Sequence, residues 1–331
     1  SFKDNRPWRL QRICTLAVAV SNRIKDRMHQ GPIVVFVRGI TLFIGIVASA
    51  CSADSQADDV ALFSFGAIAD CQYCDEEGTR RQYRLSPQKL ENCIEDFNSQ
   101  PLAHVVHLGD FIDRDWKSFD VVLPIAEKSK AHIYHVLGNH DFAVEDRYKN
   151  QVPKRLGLKK RYYGFTVENW RFLILDTNDV SLYAYPKGSR KAKESEAIYD
   201  SLGGDLPKYN GGIGVTQMKW IEKQLILAEK RGEHVALHSH HPVYPFTNHS
   251  AWNAREIVGL LEKYSCVTAF INGHNHRGAY GLKKGIHYLT LKGMVDTEET
   301  SYATVSVFPG RIEVSGKGRQ DDYYLEIRER D

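Results

Sequence analysis

Short apolar runs alternate with stretches of helical period along most of the chain, and several of the runs end in a side chain able to bind a metal or move a proton. Leu62 to Ala69 is almost uniformly apolar and predicts a buried strand ending at Asp70. Ser86-Pro87 has the composition of a helix start, and Leu90, Ile94 and Phe97 fall on one face of the helix it would open. A second strand, His104 to Leu108, runs into Gly109-Asp110, and a third, His132 to Leu137, delivers Gly138-Asn139-His140-Asp141. Tyr162 to Val167 and Trp170 to Leu175 predict a hairpin around Glu168-Asn169. Residues 176–214, rich in Lys, Gly, Ser and Tyr, lack periodicity and predict a long loop of the lid type. A helix capped by Thr216 then sets Met218, Ile221, Leu225 and Ala228 at helical spacing. Val235 to Leu237 predicts a strand leading to His238-Ser239-His240-His241-Pro242. A helix from Trp252 to Lys263 precedes a strand, Val267 to Ile271, that runs into Gly273-His274-Asn275-His276. Three more strands are expected at Ile286–Leu291, Ala303–Phe308 and Ile312–Ser315. Strand, polar loop and helix in repetition define an α/β fold, and with no internal repeat or linker residues 59–331 are expected to form one domain.

Five strand ends carry metal-type side chains: Asp70 with Gln72, Asp110 with Asp113, Asn139 with His140, His240, and His274 with His276. Each has an ordinary explanation alone, since Asn, Gly and Asp populate turns and a lone His is most often a satisfied polar residue. Together they carry weight, because strand ends of an open α/β sheet converge on one crevice. Oxygen and imidazole donors without thiolate suit manganese, iron or zinc better than calcium or a structural zinc. Seven candidate ligands, Asp70, Gln72, Asp110, Asn139, His240, His274 and His276, exceed the needs of one ion and predict two ions sharing a carboxylate. Such a pair clamps both the attacking and the leaving oxygen of a phosphoryl displacement. His140 is the side chain placed to give up a proton near neutral pH.

With 331 residues, 42% hydrophobic and 11% aromatic, the chain supports a sizeable core rather than disorder. Residues 1–50 hold eight Lys and Arg against two Asp, a balance of +6, which leaves −3 for the rest of a chain that is +3 in total. A slightly acidic body lacks the basic face that nucleic acid requires. Gly39 to Ala53 is an uncharged run behind Arg38, too short for a spanning helix, which takes about 20 apolar residues. It has the layout of a secretory signal at about residues 39–51, with Ala48-Ser49-Ala50 as the cleavage site and Cys51 positioned as in a lipoprotein signal. The basic segment 1–58 is therefore expected to direct export, to the periplasm, the medium or a lipid anchor, and the protein is expected in the cytoplasm if the run does not act as a signal; Met28 is a candidate start. A membrane enters only through that anchor. Six cysteines do not make a disulfide scaffold in a chain this long, and Cys71 and Cys74, lacking a second Cys-x-x-Cys, read as loop thiols.

Asp70-Cys71-Gln72, Gly109-Asp110-Phe111-Ile112-Asp113, Gly138-Asn139-His140-Asp141, His240-His241-Pro242 and Gly273-His274-Asn275-His276, in that order, resemble the motifs of the calcineurin-like metallophosphoesterases. Gln72, where most members have His, narrows the resemblance. So do Gly78 to Arg84, Tyr209-Asn210-Gly211-Gly212, Gln217 to Trp220, Ala251-Trp252-Asn253 and His287 to Thr297, which look like the manganese-dependent ADP-ribose/CDP-alcohol diphosphatases. The resemblance implies a four-layer α/β/β/α sandwich of two mixed β-sheets flanked by helices. By motif position it implies Asp70, Gln72 and His276 on one ion, Asn139, His240 and His274 on the other, Asp110 between them, and manganese in first place among the metals. His140 would stabilise or protonate the phosphate, oriented by Asp113. His238 and His241 flank the ligand without occupying its motif position.

The implied substrate is a small nucleotide-type molecule, ADP-ribose or a CDP-alcohol such as CDP-choline, cut at the pyrophosphate by a metal-bridging hydroxide. From the residues themselves, Arg80, Arg81 and Arg84 are candidates for the second phosphate and Tyr83, Tyr244 and Trp252 for stacking on a base, with Asn210 a further candidate for the substrate. The 176–214 loop departs from those diphosphatases in length and composition. A phosphodiesterase acting on cyclic nucleotides is the alternative reading, and a non-catalytic binding protein, disfavoured by the complete ligand set and His140, is a third. A monomer is expected.

Overall fold

The structure, a computed structural model, describes residues 60–328. The basic segment and the signal expected at residues 39–51 lie outside the described residues. Among those described, no helix is long and apolar enough to cross a membrane.

Two six-stranded sheets form the centre. The first holds β1 (Phe63–Ile68), β2 (His104–His107), β3 (Ile133–His135), β10 (Ser301–Val307), β11 (Arg311–Gly318) and β12 (Tyr323–Glu326) in the order β12-β11-β10-β1-β2-β3. β1, β2 and β3 run parallel, while β10 pairs antiparallel with β1 and continues into the antiparallel β11 and β12. The second sheet holds β4 (Tyr163–Val167), β5 (Trp170–Ile174), β6 (His234–Ser239), β7 (Val267–Asn272), β8 (Ala279–Lys283) and β9 (Ile286–Thr290) in the order β4-β5-β6-β7-β9-β8, parallel at its centre and antiparallel at both edges.

Side-chain alternation decides how these sheets stack. In β1, Phe65 and Ala67 point into the layer between the sheets, where Val106, Phe172, Ile271 and Val305 meet them, whereas Ile68 points outward. Helices α1 (Ser86–Asn98) and α2 (Ser118–Ala126) cover that outer face with Leu90, Ile94, Phe97, Phe119 and Val122. Two short helices, α3 (Asp146–Lys149) and α4 (Val152–Arg155), follow β3. Helices α6 (Val215–Arg231) and α7 (Ala254–Leu261) cover the other sheet with Ile221, Leu225, Ile257 and Leu261. Each such Leu, Ile or Phe, fully buried, contributes roughly 1.5–3 kcal/mol. The result is the expected helix, sheet, sheet, helix sandwich.

Local chemistry corrects several expectations. The 176–214 segment contains α5 (Arg190–Ser201), opened by the Ser189 hydroxyl, which accepts from the Ala192 amide. Its buried positions are Ala192, Ser195 and Tyr199, so hydrophobic periodicity does not reveal it. Thr216 lies inside α6, whose N-cap is Gly214. β8 and β12 are edge strands without an apolar run, and they form because an established strand offers them backbone partners.

Candidate metal centre

The seven candidate ligands come together at the C-terminal ends of β1, β2, β3, β6 and β7. Asp70, Gln72, Asp110 and Asn139 come from loops of the first sheet, and His240, His274 and His276 from loops of the second. Asp70, Gln72, Asp110 and His274 all have positive φ, between 53° and 69°, a region L-residues seldom occupy. Such strain clusters where a function holds it. Gly138 has no room for a side chain, since a Cβ there would sit 2.1 Å from the Asp110 amide nitrogen and Oδ1.

The hydrogen-bond network fixes which ring nitrogens face inward. His240 Nδ1 lies 2.8 Å from the Leu108 carbonyl and must donate to it, leaving the Nε2 lone pair 2.9 Å from Asn139 Oδ1 and 3.2 Å from Asp110 Oδ2. Asn210 donates through Nδ2 to the carbonyls of Asn248 and Ser250, so its Oδ1 accepts from His274 Nε2 at 2.8 Å. The Nδ1 lone pair of His274 is thereby turned toward His240 Nε2, 3.2 Å away. His276 Nδ1 donates to Asp296 at 2.7 Å, and its Nε2 faces Asp70 at 3.5 Å. Three rings each hold an acceptor on one side and present a lone pair on the other, the arrangement of metal-ligating histidines.

Buried acceptors that face one another without donors are costly unless a cation joins them. Both polar atoms of the Gln72 side chain and Asp110 Oδ2 are buried without a hydrogen-bond partner. The donor atoms of Asp110, His240 and His274 lie within 4.8 Å of one another. Burial alone would raise the Asp110 carboxyl, but His240 and His140 outweigh it and hold the group below the ordinary carboxylate range. Burial likewise opposes charge on His240 and His276, yet Asp110 beside the first and Asp70 beside the second push each up to about 9, so that without a cation these two rings take up on Nε2 the proton that a bound metal would displace. Buried oxygen and imidazole donors, with the Gln72 amide and Asp110 Oδ2 left unpaired, fit divalent metal.

His140 stands apart from this set. Its amide donates to Asp110 Oδ1 at 2.7 Å, its Nδ1 is 2.8 Å from Asp113 Oδ1, and its Nε2 lies 3.5 Å from Arg81 Nη1. Arg81 in turn lies 3.8 Å from Asp113 Oδ2. A cavity of about 810 Å³ opens beside them, lined by Arg80, Arg81, Tyr83, Arg114, Arg277 and the metal-facing His274 and His276. The structure thus brings Arg80, Arg81 and Tyr83 to the cavity and leaves out Tyr244 and Trp252. Tyr244 packs on Tyr288 and Phe246, and Trp252 lies against Tyr199 with its indole N–H on the Pro207 carbonyl. Asn210 touches His274 rather than the open cavity.

Two residues to which sequence reasoning assigned no role are placed here. Asp141 accepts from the amides of Gly138, Phe111, Ile112 and Asp110, tying the loops after β2 and β3 together. Its burial and the neighbouring Asp110 push its carboxyl up to about 7. Asp296 joins His276 to Arg80, whose Nε it accepts at 2.7 Å. Asp141 is legible from its place in the Gly-Asn-His-Asp motif, and Asp296 lies in the His287 to Thr297 stretch that carries the resemblance, although nothing there points to His276 as its partner. His238 stacks on Phe172 in the core, and His241 meets Thr177 Oγ1 at 2.7 Å. Cys71 and Cys74 are buried thiols, pushed by burial to about 12 and about 11 and held from the thiolate form.

This fold and side-chain set define a metal-dependent hydrolase of phosphate compounds. Residues 63–278 match the model of the calcineurin-like phosphoesterase family, and the chain belongs to that family. It is similar to the manganese-dependent ADP-ribose/CDP-alcohol diphosphatase of Mus musculus, 30% identical over 81% of this chain and 94% of the relative, and to that of Homo sapiens, 29% identical over 81% and 93%. Among solved structures it is similar to a dimetal phosphatase from Danio rerio, with a TM-score of 0.74 and 27% identity, covering 81% of this chain and all of the other.

Proposed function

We propose that the protein hydrolyses the pyrophosphate bond of nucleoside diphosphate derivatives, ADP-ribose or CDP-alcohols such as CDP-choline, using two divalent ions, manganese first among them. The observation that carries this reading is the convergence of inward-facing lone pairs beside a cavity lined by four arginines. Asp70, Gln72 and His276 would hold one ion, Asn139, His240 and His274 the other, and Asp110 would serve both. When bound, the ions supply Lewis-acid activation of water and neutralise phosphate charge.

The remaining roles belong to the chain. Arg81, beside His140 and on the cavity wall, is placed for a non-bridging phosphate oxygen, and Arg80, held by Asp296, for the second phosphate. Asp113 accepts the Nδ1 proton of His140 and so orients the ring, leaving Nε2 to hold a proton for the departing phosphate oxygen. The test is the purified protein with manganese against ADP-ribose, CDP-choline, cyclic AMP and an aryl phosphodiester. AMP or CMP from the first two substrates is the expected product. Preference for cyclic AMP or the diester would replace the diphosphatase reading with that of a phosphodiesterase, and no turnover of any substrate would overturn both.

A further inference from the structure

A second cavity, of about 880 Å³, shares no lining residue with the metal centre. It lies along β3, the edge strand of the first sheet, between the end of α2 and the segment that runs from α4 to β4. Tyr134 of β3 stacks on Phe165 of β4 with ring centroids 3.6 Å apart, and the Tyr163 hydroxyl donates to the His135 carbonyl at 3.0 Å. These contacts close the open side of the sandwich and give the cavity a firm wall.

Its lining divides by chemistry. Leu123, Ala126, Leu156 and Leu158, with the ring of Tyr163, make an apolar floor. Lys154, Arg155, Lys159 and Lys160 stand around it, against Glu127 as the one carboxylate of the lining. Arg155 is paired with Asp120. Lys154, Lys159 and Lys160 have no ion-pair partner among the described residues. Two lining side chains also keep buried nitrogens without a hydrogen-bond partner, His135 Nδ1 and Arg155 Nε. A purely polar anion has no use for the apolar floor, and a neutral lipid none for the unpaired lysines.

We propose that this cavity binds a single-chain anionic amphiphile, a carboxylate or phosphate head on an aliphatic or aromatic body, with the head on Lys159 and Lys160 and the body over Leu156 and Leu158. The volume lies within the range of small-molecule sites, roughly 300–1,000 Å³. The ligand has two sources, a free metabolite or the head-group layer of an anionic bilayer.

The manganese-loaded protein is titrated calorimetrically with laurate and octyl phosphate, with octanol as the neutral control and inorganic phosphate as the chainless one. Both anionic amphiphiles are expected to saturate a single site, with the controls weaker by about tenfold or more, the span of one charge-assisted contact. K159E/K160E is expected to lose at least that factor for both amphiphiles while its manganese-dependent hydrolysis is unchanged. Leu158→Ser, which takes apolar surface from the floor and adds no charge beside the lysines, is expected to weaken octyl phosphate and leave inorganic phosphate as it was. Sedimentation with phosphatidylglycerol and phosphatidylcholine vesicles separates the sources: charge-selective pelleting that K159E/K160E abolishes assigns the bilayer, and binding of the soluble ligands alone assigns the free molecule. Equal affinity for octanol and octyl phosphate, full affinity in K159E/K160E, or no binding of any probe overturns the proposal.

Discussion

The histidines of the centre do their work through the nitrogen that faces away from it. Leu108, Asn210 and Asp296 each take a ring N–H, and that contact, more than the ligand's identity, decides where the lone pair points. Removing such an acceptor lets the ring turn or change tautomer. Asp296→Ala is therefore expected to weaken manganese binding about 10–100-fold, the usual span for an outer contact of this kind, as read by calorimetric titration of the metal-free protein. Manganese affinity equal to the parent's would show that His276 needs no such support. His140 belongs to the opposite class, since its contacts lead to Asp113, to Arg81 and, through the backbone, to Asp110. His140→Ala should retain metal, measured by elemental analysis, and lose turnover by roughly 10²–10⁴. Loss of the metal together with activity would place His140 among the ligands instead.

At the scale of the element, each ligand is aimed by the backbone just past a strand end. The amides of Asp70 and Gln72 donate to the carbonyls of Gly109 and Asp110, so the loops after β1 and β2 brace one another while both pass through positive φ. Gly138 is the tightest point of that bracing. Gly138→Ala must displace Asp110, and the expected result is a folded protein with an unchanged far-ultraviolet spectrum but little bound manganese. In α5 the Ser189 cap carries the start of a helix with a weak apolar face, and Ser189→Ala should cost about 1 kcal/mol locally, read as faster hydrogen exchange over residues 190–201. These elements also show why some of the molecule was legible in its sequence and some was not. The buried central strands are read from apolar runs such as Leu62 to Ala69, and the candidate ligands from polar residues placed just beyond them. α5 escapes because Ala192, Ser195 and Tyr199 carry its packing, and β8 and β12 because a neighbouring strand rather than their own composition makes them strands. Tyr244 and Trp252 offered the right chemistry for stacking but are engaged elsewhere, and only tertiary packing separates such a ring from Tyr83, which does reach the cavity.

For the molecule as a whole, the layer between the sheets contains a weakness toward acid. His104 stacks on Phe65 with neither ring nitrogen hydrogen-bonded, and His238 stacks on Phe172. Burial holds both down to about 3, with the His238 charge adding to the effect at His104. In the unfolded chain each takes up a proton as pH falls through about 6.5, while the native rings stay neutral to about 3. The unfolded state then binds more protons in that window, so stability is lost as pH drops from 6.5 toward 3. At pH 4.5 the loss is about 3 kcal/mol per ring, a large part of the ~5–15 kcal/mol that holds a typical domain. Urea midpoints of the metal-free protein at pH 7 and 4.5 should show it, and the His104→Leu/His238→Leu protein should lose part of the difference, the rest belonging to His107, His135, His241 and His274, which burial also holds down; an identical drop in that variant would assign the acid sensitivity wholly to other groups. The centre itself is shared between the two sheets, oxygens from one and imidazoles from the other, and this has a consequence for how the chain is made. β1 gains its antiparallel neighbour only when β10 exists, and His276 gains its acceptor only at Asp296. A nascent chain halted after Lys283 already contains every ligand of the motifs, yet it lacks Asp296 and the strand that closes the first sheet, and it should emerge from the ribosome unable to retain manganese. On the proposed ligand set, metal would follow the closing of the first sheet rather than template it.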